Sequence, residues 1–160
     1  MINVRRALAS DVDELVRLRG VMLGAIHGRT VEPGSWPEAA ARSLRERLPG
    51  PEPSLVAFVV ERPDEPGRLA ACVLGAVESR LPGPSNPSGL IGHVFNVVTD
   101  PDHRRRGYSR ACMEALLDWY RRRGVTRIEL NASPAGEPLY RSLGFTPRTT
   151  PAMRLTTPTN

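Results

Sequence analysis

The stretch Val94-Phe95-Asn96-Val97-Val98-Thr99-Asp100-Pro101-Asp102-His103-Arg104-Arg105-Arg106-Gly107-Tyr108-Ser109 decides how this chain reads. An apolar, β-branched run breaks at Asp100-Pro101-Asp102, crosses a basic turn and enters a long amphipathic segment that stops at Gly124. A strand, a tight turn and a helix start together bind anions, because the first-turn N–H groups lack intrahelical partners and carry the positive end of the dipole. Gly107 lets an anion approach the backbone where a side chain would block it. Arginines at a helix start oppose the dipole unless an anion lies between them. The stretch therefore predicts a grip on a phosphorylated ligand, against the plainer reading of a solvated, charged turn.

Downstream, the helix of about residues 107–123 buries some combination of Ala111, Met113, Leu116, Leu117 and Tyr120. Arg121-Arg122-Arg123 then sits where the dipole favours cations, with Gly124 as the left-handed stop. Val125–Ala132 reads as a strand, with Ile128 and Leu130 on one side and Glu129 and Asn131 on the other. A short helix carries Leu139-Tyr140-Arg141-Ser142-Leu143, and two short strands near Phe145–Arg148 and Ala152–Thr156 end the series.

Upstream, Ile2–Leu8 reads as a strand, and Ser10 with Asp13 forms a capping signal for a helix over about residues 11–26. His27–Gly34 is a loop, and Ser35 with Glu38 opens a second helix that turns Leu44 and Leu48 inward and stops at Pro49-Gly50-Pro51. Ser54–Arg62 and Arg68–Ser79 form an antiparallel hairpin, Pro82–Gly89 a flexible loop, and Leu90–Thr99 the strand that feeds the basic turn. The order βααβββαβαββ predicts an α/β (α+β) fold with one domain over residues 1–160. It has a mixed, mostly antiparallel sheet of about seven strands flanked by about four helices.

Composition narrows the class. The chain is 160 residues, 40% hydrophobic and 24% charged, which is ordinary for a globular domain. No apolar run approaches the ~18 residues of a membrane span, and a charged helix follows the N-terminal residues where a signal core would lie. Cys72 and Cys112 lack metal-ligand spacing and read as buried free thiols in a reducing cytoplasm. All 22 basic residues are Arg, and the net charge of +5 suits an acidic ligand or nucleic acid alike. With two Trp, three Tyr and three Phe, and no nucleic-acid motif, the chain is poorly supplied for base stacking. Three scattered His make no metal site.

The chain resembles the GNAT superfamily of N-acetyltransferases. Arg104-x-x-Gly107-x-Ser109 matches the family's pyrophosphate motif, Gln/Arg-x-x-Gly-x-Gly/Ala, with Ser in the last small position, and Leu139-Tyr140-x-x-x-Gly144-Phe145 looks like its closing motif. The resemblance implies transfer of an acetyl group from acetyl-CoA, as co-substrate, to a primary amine of a small molecule or peptide, by direct attack in a ternary complex. It implies a V-shaped opening between the fourth and fifth strands. By position it assigns Val97, Val98 and Thr99 to the pantetheine and acetyl group, and Arg104, Arg105, Arg106, Gly107, Tyr108, Ser109 and Arg110 to the pyrophosphate. Asn131 and Ser133 lie where the family bonds CoA, although Ser133-Pro134 equally reads as a helix start. A homodimer through the C-terminal strands is left open; membrane and nucleic-acid partners are not implied.

For chemistry, the resemblance makes Tyr140 the proton donor to the leaving thiolate, with a packed core aromatic as its alternative role. An N–H of Val97 or Val98 would polarise the thioester oxygen. An ammonium must lose a proton before attack, and Glu129, on the strand beside the V, is the first choice of base. His93 has the right intrinsic acidity, but a lone strand His is more often structural, and Glu78 is a further polar group near the opening. Asn96 is expected to orient substrate or water. Trp36, with Glu14, Arg17, Arg19 and Glu32, is a candidate for the acceptor side. The competing reading keeps the fold without turnover, as an acyl-CoA-binding or regulatory domain.

Overall fold

A computed structural model describes residues 1–30 and 32–159, so Val31 of the predicted first loop and the terminal Asn160 lie outside the described residues. The elements run β1 (Val4–Arg6), α1 (Val12–His27), α2 (Trp36–Arg47), β2 (Leu55–Glu61), β3 (Leu69–Ser79), β4 (Leu90–Thr99), α3 (Tyr108–Arg122), β5 (Arg127–Leu130) and α4 (Glu137–Ser142). The sheet order is β1-β2-β3-β4-β5, antiparallel except for the parallel β4-β5 pair.

Alternation along β2 and β3 sorts side chains to two faces. Leu55, Ala57, Val59, Cys72 and Leu74 pack under α1 and α2 with Leu15, Leu18 and Leu44. Val56, Phe58, Ala71, Val73 and Val94 pack under α3 with Cys112, Met113, Leu116 and Tyr120. The two predicted thiols are both free and buried, one in each layer. Tyr120 was expected only to fill the core. Its hydroxyl also donates to the carbonyls of Ala76 (2.9 Å) and His93 (2.8 Å), stapling β3 to β4, and its ring fits because residues 75 and 92 are glycines.

Several sequence expectations need correction. The sheet has five strands where about seven were expected, because among the described residues nothing after Phe145 forms a strand. Pro147 and Pro151 interrupt that segment and remove the N–H groups a ladder would need. The Ser10–Asp13 capping signal is not used: the Asp11 carboxylate accepts from the Leu8 N–H at 2.7 Å and from Arg5 at 2.8 and 2.9 Å. Ser35 precedes α2 without a side-chain cap bond. The Pro-rich loop, expected to be flexible, is a bridged turn, Gly83 against Asn86. Asn86 is buried and donates to the Leu90 carbonyl at 3.0 Å, while Arg127 reaches Ser85 at 2.9 Å.

Candidate active site

Two interruptions in β4 create the site. Its parallel pairing with β5 covers Ile91–Val94 against Arg127–Leu130 and stops there, although β4 continues to Thr99. On the other side Leu74 pairs with Phe95 but Cys72 with Val98, so β4 carries one extra residue, a β-bulge. Asn96 occupies it with φ 55°, left-handed backbone that Asn tolerates better than most residues. The expected V thus opens beyond Val94 and Leu130, as a cleft of about 740 Å³. Val97, Val98 and Thr99 form one wall, Met22, Ala25 and Ile26 of α1 border it, and Ser133, Leu139 and Tyr140 close it opposite.

At one end of the cleft lies the basic turn. Arg105 (φ 64°) and Gly107 (φ 80°) both take left-handed backbone, and the chain then enters α3. The N–H groups of Arg105, Arg106, Gly107, Tyr108, Ser109 and Arg110 make no hydrogen bond among the described residues, so a cluster of unpaired donors faces the helix start. Thr99 and Ser109 share a hydrogen bond at 2.6 Å between their hydroxyls, and Arg104 Nε donates to the Thr99 carbonyl at 3.3 Å. The Ser in the motif's last position therefore ties strand to helix. Arg104, Arg105, Tyr108 and Arg110 line the cleft; Arg106 does not, and its side chain lies in a neighbouring groove with Ile2 and Glu61.

The turn is anchored from beneath. Asp100, 4% exposed, accepts from Arg17 (3.1 and 2.9 Å) and Arg62 (2.5 Å). Burial alone would raise its carboxyl, but the bonds from these two guanidinium groups outweigh it and hold the pKa below the ordinary 3.8. Arg17 and Glu14, candidates for the acceptor side by sequence, belong to this anchor: Glu14 bonds Arg17 at 2.9 Å and the Leu69 N–H at 2.9 Å.

At the other end Tyr140 is 8% exposed and packs edge-on against Phe145, with ring centroids 6.1 Å apart. An added Cβ at Gly136 would lie 2.9 Å from its ring, so that glycine seats it. Its hydroxyl makes no hydrogen bond among the described residues, and burial pushes its pKa up, which keeps it protonated. Ser133 Oγ accepts from the Gly136 N–H at 3.1 Å, the turn-forming alternative of its two readings, while still bordering the cleft.

Three predicted site residues are placed differently. Glu129 is not among the residues that line the cleft; it lies on the sheet face opposite Ile128 and Leu130, borders a neighbouring groove and pairs with Arg148 at 3.3 Å. Trp36 lies over Gly20 on α1 and donates to the Glu32 carbonyl at 3.2 Å, outside the cleft. Asn96 borders the cleft, but its side chain turns inward, where Oδ1 accepts from Arg19 at 3.0 Å and Nδ2 approaches Cys72 Sγ at 3.8 Å. Among the described residues no helix is long and apolar enough to cross a membrane, and no cluster of His, Cys, Asp and Glu suits a metal ion.

A splayed parallel pair, a bulged strand and an unpaired amide cluster at a helix start define a fold built to hold an extended, phosphate-ended ligand. Residues 25–145 match the model of the acetyltransferase (GNAT) family, and the chain belongs to that family. A crystal structure of a predicted acetyltransferase with acetyl-CoA from Clostridium acetobutylicum superposes with a TM-score of 0.82 at 26% identity, covering 98% of this chain and 96% of that one. A ribosomal-protein alanine N-acetyltransferase of Escherichia coli is 46% identical over 55 residues, 32% of this chain and 37% of that protein. Glucosamine 6-phosphate N-acetyltransferase 1 of Oryza sativa is 33% identical over 79 residues, 49% of this chain and 46% of that protein. The chain thus spans less than half the length of these curated relatives.

Proposed function

We propose that the chain transfers an acetyl group from acetyl-CoA to a primary amine, by direct attack within a ternary complex. The observation that carries this reading is the juxtaposition of the cleft's two ends: unpaired N–H groups from Arg105 to Arg110 at one, the unbonded, protonated Tyr140 hydroxyl at the other. The pyrophosphate accepts from the amides, the pantetheine amides pair with the free edge of Val97–Thr99, and an N–H of Val97 or Val98 polarises the thioester oxygen. Tyr140 then protonates the departing thiolate. The relatives acting on a protein alanine and on an amino sugar share amine acetylation and differ in acceptor.

The test is thermal unfolding with acetyl-CoA, CoA and duplex DNA in parallel, followed by thiol release across a panel of amines. A ligand at ~100 times its Kd stabilises by about 2.7 kcal/mol, so both CoA forms are expected to raise the melting temperature and DNA is not. No shift with either CoA form would refute the reading. Binding without thiol release on any amine would instead leave an acyl-CoA-binding domain.

A further inference from the structure

An acceptor must enter the cleft where the cofactor does not lie. The amide cluster and Tyr140 hold the α3 and α4 side, which leaves the α1 side, bordered by Met22, Ala25, Ile26 and Phe95, for the amine. That side is apolar because of the stripe α1 presents. Leu15, Leu18, Met22 and Ala25 recur at helical spacing, with Ile26 beside them, so they share one flank of the helix. Leu15 and Leu18 are buried on the sheet, but further along the same flank runs out over the opening, and Ile26 is 62% exposed. Phe95 repeats this on β4: it is 38% exposed between the buried Val94 and Asn96, just past the last rung paired with β5. The fold leaves this hydrocarbon surface in water, and a ligand's apolar group laid on it would remove it from water.

The charges around the opening point the same way. Among the described residues no Asp or Glu lines the cleft, and its arginines, Arg104, Arg105 and Arg110, gather at the amide end. Carboxylates on the strands flanking β4 are already engaged: Glu129 with Arg148 at 3.3 Å, and Glu78 with Arg80 at 3.0 Å and His93 at 2.7 Å. Arg19, which α1 brings to Asn96 at 3.0 Å, is itself a cation. A second ammonium on the acceptor would therefore lose water there without gaining a partner.

We propose that Met22, Ile26 and Phe95 form the acceptor pocket and select a small primary amine with a compact apolar substituent, against polyamines and other acceptors that carry a second positive charge. The inference rests on the acetyl-transfer reading above and names the acceptor class for it. The substituent packs on these side chains, and the amine nitrogen extends from it toward the thioester.

The test compares thiol release with pentylamine and with diaminobutane, a chain of the same length in which a second ammonium replaces the terminal methyl group. The parent chain is expected to favour pentylamine by about 10-fold or more in kcat/KM. Phe95→Ala is expected to lower kcat/KM for pentylamine about 10-fold, chiefly by raising KM, while diaminobutane changes by less than about 2-fold. Ile26→Glu supplies the missing carboxylate and is expected to move the ratio about 10-fold toward diaminobutane. Both side chains are exposed, so melting temperature and acetyl-CoA affinity should hold in both variants. A parent chain that turns over diaminobutane as well as pentylamine overturns the assignment, as does a preference that neither variant moves, or turnover confined to polycationic or polyhydroxylated amines. Failure to bind acetyl-CoA, or to release thiol with any amine, would instead strike the transfer reading itself.

Discussion

Asn96 Oδ1 accepts a hydrogen bond from Arg19 Nη1 at 3.0 Å, joining the β4 bulge to a helix 77 positions earlier in the chain. The bond holds a left-handed residue at the point where β4 leaves β3's register, and so aims the backbone of Val97 and Val98 into the cleft. The residue expected to orient the substrate orients the strand instead.

Replacing that residue separates its two contributions. Asn96→Ala keeps a Cβ at φ 55° but loses the side-chain amide that makes this conformation tolerable, together with the Arg19 bond, so about 1–2 kcal/mol of stability should go, with weaker acetyl-CoA binding. Asn96→Gly keeps the backbone and loses only the bond, and should retain more of both. Chemical denaturation and calorimetric titration read the two effects; equal losses would mean the backbone conformation is irrelevant.

Tyr140→Phe removes a hydroxyl that has no protein partner, so packing against Phe145 should persist and stability change by less than about 1 kcal/mol. Turnover should fall by roughly 10²-fold if the phenol is the thiolate's acid, with acetyl-CoA affinity nearly constant. Steady-state kinetics beside a binding isotherm decides this.

Gly92→Ala places a Cβ 2.8 Å from the Tyr120 ring, against the staple that holds β3 and β4 together. Overpacking there should cost about 1–3 kcal/mol, read as a lower melting temperature. Pairing it with Tyr120→Leu should recover part of the loss, because the obstructing ring is gone.

Acid should loosen the anchor beneath the turn. The carboxyls of Asp100, Asp11 and Glu14 are each pushed up by burial but more strongly held down by their arginine bonds, joined for Asp11 and Glu14 by a backbone N–H, so folded values lie below the ordinary 3.8 for Asp and 4.5 for Glu. Groups depressed on folding contribute stability that is complete above the unfolded values and lost as pH falls through the folded ones. Unfolding free energy should be flat in this contribution above about pH 5 and decline below about pH 4.5. Asp100→Asn should flatten that decline and cost about 3 kcal/mol near neutrality, since it removes the buried carboxylate that Arg17 and Arg62 share and leaves them only the carboxylates of Glu14 and Glu65.

Local chemistry made the phosphate turn legible from the chain alone: a β-branched run, Gly107 and a helix start lie within a few residues, and their N–H groups owe nothing to distant contacts. The same holds for β4, whose bounds Leu90–Thr99 emerge as expected, and for the β2-β3 hairpin. Alternation alone also put Glu129 opposite Ile128 and Leu130, yet could not say whether that position borders the cleft, and the structure leaves Glu129 out of its lining. That choice depends on where α1 and α3 pack. Likewise Asp100 gave no sign of the two arginines that meet it from positions 17 and 62, nor His93 of Glu78, fifteen positions earlier, because such pairs exist only once β3 and β4 lie side by side. Sequence determined the amide cradle, since hydrogen-bond deficits at a helix start are local. Only the tertiary structure decided the bulge, the cleft and the His93–Glu78 pair, since each is made by strands whose register the whole sheet sets.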